Sequence, residues 1–348
     1  MRRLPLIAAA GLFSIQLFAA PLPGFSFDHK DWELSCDNTG TCRAAGYGVK
    51  TGEVSVLLTR QAGPGQHVNG LATFAQTQND IPIDANVSMF IDDQPQGTLA
   101  AKDKTHFRFD SSQITALVEA LIHDKKIEIA LNGQRKTLSS AGANAVFLKM
   151  DEYQKRIGTR SALLRKGKAS EENVLAAVPA PVIIAAPVTP SAPATQLTTD
   201  QRKRVEAKLT NDCDDWDNEN ISAEDRQLTL TAIDKSHSLI QGLCWRAAYN
   251  EGYAMWVVDN ALTSDPQLIT TDATSYADGV ITFFNKGRGI ADCVSGEEWV
   301  WDGKTFVRSL KYTTGDCREI VPGGTWMLPT FVSQVEAAQK VSEHDNAR

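Results

Sequence analysis

Five carboxylates, Asp212, Asp214, Asp215, Asp217 and Glu219, fall within eight residues of the chain. Side chains at that spacing could hold a calcium ion, but the order of an EF-hand loop fails. Its glycine position is Asn220 and its closing glutamate position is Arg226. As a glycosidase pair, Asp214, Asp215 or Asp217 would need a cleft and a raised pKa, neither of which a sequence displays. Loop solvation and helix capping account for the cluster equally well.

Ser236-His237-Ser238 places nucleophile and base letters side by side. Neighbours on a strand point to opposite faces, and no G-x-S-x-G elbow surrounds any serine, so a surface loop is the reading. Gly287-Arg288-Gly289 lacks the third glycine of a dinucleotide loop and reads as a turn, from which Arg288 could still grip an anion. Trp299 and Trp301 alternate to one face of a strand. With Trp245, Trp256 and Trp326 they could line a sugar or peptide groove, or build a small aromatic core. Arg288, Trp299 and Trp301 are therefore the candidate ligand surface. No residue is assigned as catalytic, cofactor-binding or metal-ligating, and no cofactor is implied.

Cys36, Cys42, Cys213, Cys244, Cys293 and Cys317 form an even set, which on an exported chain favours disulfides. If the halves fold separately, Cys36–Cys42 follows, and Cys213–Cys244 with Cys293–Cys317 is the preferred pairing of the rest. Zinc is the competing reading, but there is no C-x-x-C pair and the histidines are scattered. Export itself is read from the first residues. Arg2 and Arg3 precede a short apolar run over 4–18, and Ala19-Ala20 offers cleavage after Ala19, giving a signal peptide at 1–19. The run is shorter than the roughly 20 residues of a membrane span, and no later stretch is long and apolar enough to cross. The expected compartment is the periplasm, with no transmembrane segment after cleavage.

What must position these residues is a two-part chain. The Ala/Pro-rich stretch 176–197, with Pro179, Pro181, Pro187, Pro190 and Pro193, reads as a semi-rigid spacer. At about 3.1 Å per residue it could reach roughly 60 Å and let the halves move apart. The expected fold class is α+β: an N-terminal antiparallel sheet with two helices over 25–175, then a mainly antiparallel β domain over 198–331 and a polar tail over 332–348 that could fray as a helix.

In the first part, 31–36, 54–59 and 87–91 alternate as strands. Residues 112–123 read as a helix capped by Ser111 or Ser112, with Ile114, Leu117, Val118 and Leu121 on one face. Asn132-Gly133 between 127–131 and 134–138 is a strong hairpin signal. A longer helix is expected over 144–165. In the second part a short helix is expected over 201–209, and strands over 254–258, 280–284, 298–301, 306–312 and 325–328.

Charge is unevenly shared. Residues 25–176 carry 18 acidic and 18 basic side chains, whereas 199–348 carry 24 and 15, which argues against nucleic-acid binding by the second part. Lys149, Lys155, Arg156, Arg160, Arg165, Lys166 and Lys168 make 149–168 locally basic. As a basic amphipathic helix it could touch anionic lipid or an acidic partner, be a solvated face, or dock on the acidic half.

The run Asp31-Trp32-Glu33-Leu34-Ser35-Cys36-Asp37-Asn38-Thr39-Gly40-Thr41-Cys42-Arg43-Ala44-Ala45-Gly46-Tyr47 resembles the domain-of-unknown-function 1176 family of proteobacteria. So do Met150-Asp151-Glu152-Tyr153-Gln154-Lys155-Arg156-Ile157-Gly158-Thr159 and Lys286-Gly287-Arg288-Gly289-Ile290-Ala291-Asp292-Cys293 with Trp299-Val300-Trp301-Asp302-Gly303 after it. The likeness spans nearly all of the mature chain. The N-terminal half is distantly similar to the invasion-associated locus B proteins, exported proteins of Gram-negative bacteria, but lacks a later cysteine pair associated with that group. The resemblance implies export and overall architecture, and brings no activity or functional residues. The functional expectation is a non-catalytic binding or interaction module of the cell envelope, its partner an envelope protein or cell-wall ligand. A hydrolase of cell-wall sugar or peptide and a structural or stress-protective protein are the alternatives.

Overall fold

A computed structural model describes residues 22–75, 85–189, 193–209, 213, 222 and 224–338. The signal segment 1–19, the acidic residues Asp212, Asp214, Asp215, Asp217 and Glu219, and 339–348 lie outside the described residues. The class is α+β, mainly antiparallel β, with helices α1 (Ser111–Ile122), α2 (Ala143–Tyr153) and α3 (Thr199–Leu209).

The first sheet has seven strands in the order Phe25–His29, Trp32–Cys36, Cys42–Tyr47, Val54–Arg60, Asn69–Phe74, Phe107–Arg108 and Ala100–Ala101. Alternation decides its faces. Trp32, Leu34 and Cys36 point one way, with Val54, Val56 and Leu58, into a core closed by α1, α2 and a second, four-stranded sheet. That second sheet contains the expected Ile127–Leu131 and Gln134–Leu138 hairpin. Its turn residues Asn132 and Gly133 both have positive φ, 49° and 83°, as the signal demands.

Both helices correct the sequence reading at one end. The cap of α1 is Asp110, not Ser111 or Ser112. Its carboxylate accepts the Gln113 N–H at 2.8 Å while the Gln113 side chain accepts the Asp110 N–H at 2.9 Å, a capping box. The longer helix expected over 144–165 stops at Tyr153. Lys155 and Gly158 take positive φ, 54° and 82°, and the chain folds back as a loop. Gly158 N–H donates to Arg165 O, Gly167 N–H to Thr159 O and Ala169 N–H to Gly158 O, at 2.9, 2.9 and 3.1 Å.

Polar side chains at the end of α2 cause this reversal. Asp151 is fully buried and accepts the N–H groups of Leu163 and Leu164 as well as the Arg60 guanidinium at 2.7 Å. Buried Arg156 donates to Gly63 O and to Ser161 Oγ. A continuous helix would pull these groups from their partners, so the basic amphipathic helix over 149–168 is not formed.

The second half contains two five-stranded antiparallel sheets. One runs Thr195–Gln196, Thr229–Ala232, His237–Arg246, Glu251–Asp259, Gln267–Ala273; the other Ser275–Ala277, Val280–Lys286, Val294–Trp301, Phe306–Thr313, Leu328–Val332. Period-2 alternation splits Glu251–Asp259 between two cores. Ala254, Trp256 and Val258 pack towards α3, and Met255 and Val257 pack against Trp299, Trp301 and Phe306 of the other sheet.

Three local expectations are corrected here. Ser236 lies in the expected loop but His237 opens a ten-residue strand, the strand expected over 325–328 is Leu328–Val332, and the tail begins as strand Gln334–Ala337 rather than helix. That final strand pairs in parallel with Val182–Ala185, inside the Ala/Pro-rich stretch. The halves are packed on each other, not held apart. Ala45 and Tyr47, on the second face of the first sheet, lie under Ile320, Trp326 and Leu328. Asn38 exchanges two hydrogen bonds with the Val332 backbone, and Ser35 Oγ donates to Pro329 O at 2.7 Å.

Candidate functional site

Where the halves meet, a cavity of about 430 Å³ opens between strands Phe25–His29 and Trp32–Cys36 on one side and Val294–Trp301, Phe306–Thr313 and the turn at Gly315-Asp316 on the other. Its volume falls in the roughly 300–1,000 Å³ range of small-molecule sites. Phe27, Leu34, Phe283 and Leu328 border it, Phe27 and Leu34 with their side chains turned to the core on the other face, and Asp28, Glu33, Glu297, Lys311, Tyr312 and Asp316 give it polar groups.

Glu33 reaches the cavity because its strand buries the opposite face. The register Glu33↔Ala45 then sets it on the same face as Tyr47. Tyr47 Oη donates to Glu33 Oε1 at 2.5 Å, and the Asp316 N–H points at both, 2.8 Å from the carboxylate and 3.0 Å from the phenol oxygen. Gly315 has φ +86°, and a side chain there would strike the Tyr47 hydroxyl and Glu33 Oε1, so only glycine lets the turn close on the pair.

Burial pushes the Glu33 carboxyl up to about 7, with the carboxylates of Asp316 and Asp28 adding to it; the Tyr47 hydroxyl and Asp316 N–H pull in the other direction. Glu33 therefore titrates near neutrality. Burial, and next the Glu33 charge, raise Tyr47, which stays a proton donor.

Lys311 and Arg308 occupy the Glu297 carboxylate, at 2.5 and 2.8 Å. Arg318 bridges Asp31 at 2.9 Å and Asp316 at 3.3 Å. Asp28 and the titrating Glu33 leave the cavity with acceptors and a mild negative balance. Such a site can take a small neutral or cationic polar group, and can hand over one proton from Glu33.

The sequence-selected residues lie elsewhere. Trp301 is fully buried and Trp299 nearly so, in the core between the two C-terminal sheets, because the alternation that puts them on one face aims that face inwards. Trp256 belongs to the core under α3, Trp326 is buried between the halves, and half-buried Trp245 donates its indole N–H to Asp272 at 2.9 Å. Five tryptophans thus serve several cores and share no groove.

Arg288 is anchored at its own turn. Its fork takes both oxygens of Asp292, at 2.7 and 2.6 Å, and Glu319 at 3.1 Å. The three disulfides are Cys36–Cys42, Cys213–Cys244 and Cys293–Cys317, the preferred pairing. Asp292, Cys293 and Cys317 are the one group among the described residues close enough to share a metal ion. Their sulfurs are bonded to each other and their carboxylate to Arg288, so no free donor set exists there.

Ser236 and His237 make contact, with Asp234 beside them, but not as a triad. Ser236 Oγ and the Asp234 carboxylate both meet Nδ1 of His237, at 3.2 and 3.0 Å, whereas a triad uses opposite ring nitrogens. Asp103, Thr105 and His106 repeat the arrangement, with 3.1 and 2.9 Å to Nδ1. Each histidine lies on a tryptophan, His237 on Trp301 and His106 on Trp326, at 5.0 and 5.4 Å between ring centres. The shared letters Asp103-Lys104-Thr105-His106 and Asp234-Lys235-Ser236-His237 were the visible signal for this turn. For Glu33 and Tyr47 the signal was their alternation with buried neighbours. Asp316 gave none, since it joins Glu33 across 283 positions of chain.

Among known proteins, the chain is 25% identical to the uncharacterized protein YpfG of Escherichia coli strain K12, over 81% of this chain and 85% of that one. The solved structure of invasion associated protein B from Bartonella henselae is similar at 15% identity and a TM-score of 0.26, over 38% of this chain and 99% of that one; so weak a likeness carries no functional argument. The family described as "Protein of unknown function (DUF1176)" matches residues 26–333, and the chain belongs to that family.

Proposed function

We propose that the protein is an exported, non-catalytic binding module of the bacterial cell envelope, acting in the periplasm, and that the cavity between its halves holds the ligand. Three disulfides support an oxidising compartment. The carrying observation is that both halves supply the cavity wall, Asp28 and Glu33 from one and Tyr312 and Asp316 from the other. A ligand seated there touches both and strengthens their contact. Its expected chemistry is small, polar and neutral to cationic.

The test is thermal unfolding of the mature protein with peptidoglycan fragments, polyamines and a small-molecule extract of periplasm. A component that raises the melting temperature of the wild type and leaves Ser26→Trp, which fills the mouth, unmoved supports the reading. No shift with any of the three sinks it.

Hydrolysis of a cell-wall sugar or peptide is a second reading, favoured by one observation: a carboxyl that titrates near neutrality in a cleft suits a general acid. It requires turnover of peptidoglycan fragments that Glu33→Gln abolishes. Absence of turnover, or turnover untouched by the substitution, removes it.

A further inference from the structure

The loop that replaces the expected basic helix borders a second, separate cavity of about 200 Å³. Its walls are the first turns of α1, with Ser111 and Thr115, the loop residues Arg160, Ser161 and Lys166, and Gln66 and His67 from the segment after strand Val54–Arg60. Every charged or titratable side chain in the lining (Arg60, His67, Arg160 and Lys166) is basic, and no carboxylate joins them. Arg60 at the base is neutralised by Asp151 at 2.7 Å, and its neighbour Arg156 by Glu171 at 3.4 Å.

Arg160 and Lys166 have no ion-pair partner among the described residues, and neither do Lys155, Arg165 and Lys168 around them. Among the described residues, no acidic side chain of the second half pairs with them. The N–H groups at the start of α1 are not the source of the field, because the Asp110 carboxylate already occupies them.

The loop is held in place before any ligand arrives. Three backbone hydrogen bonds close it, and Asp151, Gln154 and Arg156 tie it to the core beneath. The Thr115 hydroxyl donates to Ser111 O at 2.9 Å and the Ser161 hydroxyl is held by Arg156 and Glu171, so Arg160, Lys166 and the Ser111 hydroxyl are the groups that face a ligand. Two cationic side chains on a fixed frame around a small hollow are the chemistry of oxyanion recognition, in which charge-assisted hydrogen bonds from arginine and lysine are the strong contacts. The volume is below that of drug-sized sites, which suits a single anionic group with its immediate substituent.

We propose that the pocket formed by Ser111, Thr115, Arg160, Ser161 and Lys166 binds a phosphate ester. The ester is carried either by a soluble metabolite or by a phospholipid headgroup; the recognition chemistry is the same. This site lies apart from the cavity between the halves and does not depend on the reading given to that cavity.

Two measurements on the mature protein test it: titration calorimetry with glycerol 3-phosphate at low salt, and co-sedimentation with vesicles of phosphatidylglycerol against vesicles of phosphatidylcholine. The double substitution Arg160→Ala, Lys166→Ala should weaken binding by about tenfold or more, while the triple substitution Lys155→Ala, Arg165→Ala, Lys168→Ala outside the lining should change it by no more than about twofold. All five positions are exposed, so neither variant disturbs the core. Binding to the soluble ester assigns a soluble source, and binding to phosphatidylglycerol vesicles alone assigns a headgroup; either supports the pocket. Equal loss in both variants would show diffuse surface charge and overturn it, as would no binding to either probe.

Discussion

Trp326 donates its indole N–H to Ser55 Oγ at 2.7 Å, joining residues 271 positions apart at the buried contact between the halves. Ser55 Oγ passes the interaction on by donating to Gly46 O at 2.8 Å. Trp326→Phe keeps most of the packing and removes the donor, so it should cost about 1 kcal/mol. Trp326→Ala leaves a hole as well and should cost about 3–5 kcal/mol. Urea unfolding followed by tryptophan fluorescence separates the two; a Trp326→Phe protein as stable as the wild type would show that the hydrogen bond is idle.

Glu33 gives stability a pH dependence of definite sign. Its carboxyl holds a proton up to about 7 in the folded chain, against an ordinary value of 4.5. Between those values the folded state binds more protons than the unfolded state, so stability is full below pH 4.5 and declines as pH rises towards 7. The loss should be about 2 kcal/mol, discounted from the full shift because Glu33 keeps some access to water. Glu33→Gln keeps an acceptor for Tyr47 and cannot titrate. The variant should lose this decline and be the more stable protein at pH 8. Parallel stability curves for the two proteins from pH 4.5 to 8 would rule out the buried proton.

Asp151 neutralises Arg60 where both are buried, and also accepts two loop N–H groups. Removing one partner of such a pair leaves an uncompensated charge, so Asp151→Asn should cost about 3–5 kcal/mol. It should also free the loop. Hydrogen exchange at Leu163 and Leu164 should accelerate well before global unfolding, and unchanged protection there would contradict the role assigned to Asp151.

The Cys293–Cys317 bond closes a 25-residue loop and lies next to Asp316 and Arg318, which reach across to Glu33 and Asp31. Replacing both cysteines by serine should cost about 3.5 kcal/mol on the chain-entropy argument. The Glu33 carboxyl should also lose the Asp316 N–H, and a carboxyl-sensitive NMR titration should find its midpoint moved. A midpoint unchanged in the double variant would show that the turn is held without the cross-link.

Much of the framework was legible because it is local. Asn132-Gly133 announced its hairpin through backbone geometry alone. Val54, Val56 and Leu58 marked a strand through period two, and dividing the chain at 176–197 singled out Cys36–Cys42 while leaving three pairings for the other four cysteines, of which the preferred one is found. What was not legible depends on distant partners. The apolar residues Ile157 and Leu164 kept helical spacing, yet buried Arg156 and the left-handed Lys155 end α2 at Tyr153. Trp299 and Trp301 share a face, but only the opposing sheet determines that this face is internal. The Glu33 site was invisible for the same reason, since more than half of its wall arrives from residues 295–330.

The cover over Ala45 and Tyr47 comes from residues 320–328, and the strand that clasps Val182–Ala185 comes later still, at 334–337. During synthesis the first half therefore emerges with one face of its sheet bare. It must wait, exposed to water and to other chains, until nearly the last of the polypeptide has been made. A chain truncated by even its final segments is left not with one good half but with a sticky one, and an escort would have its work at that moment.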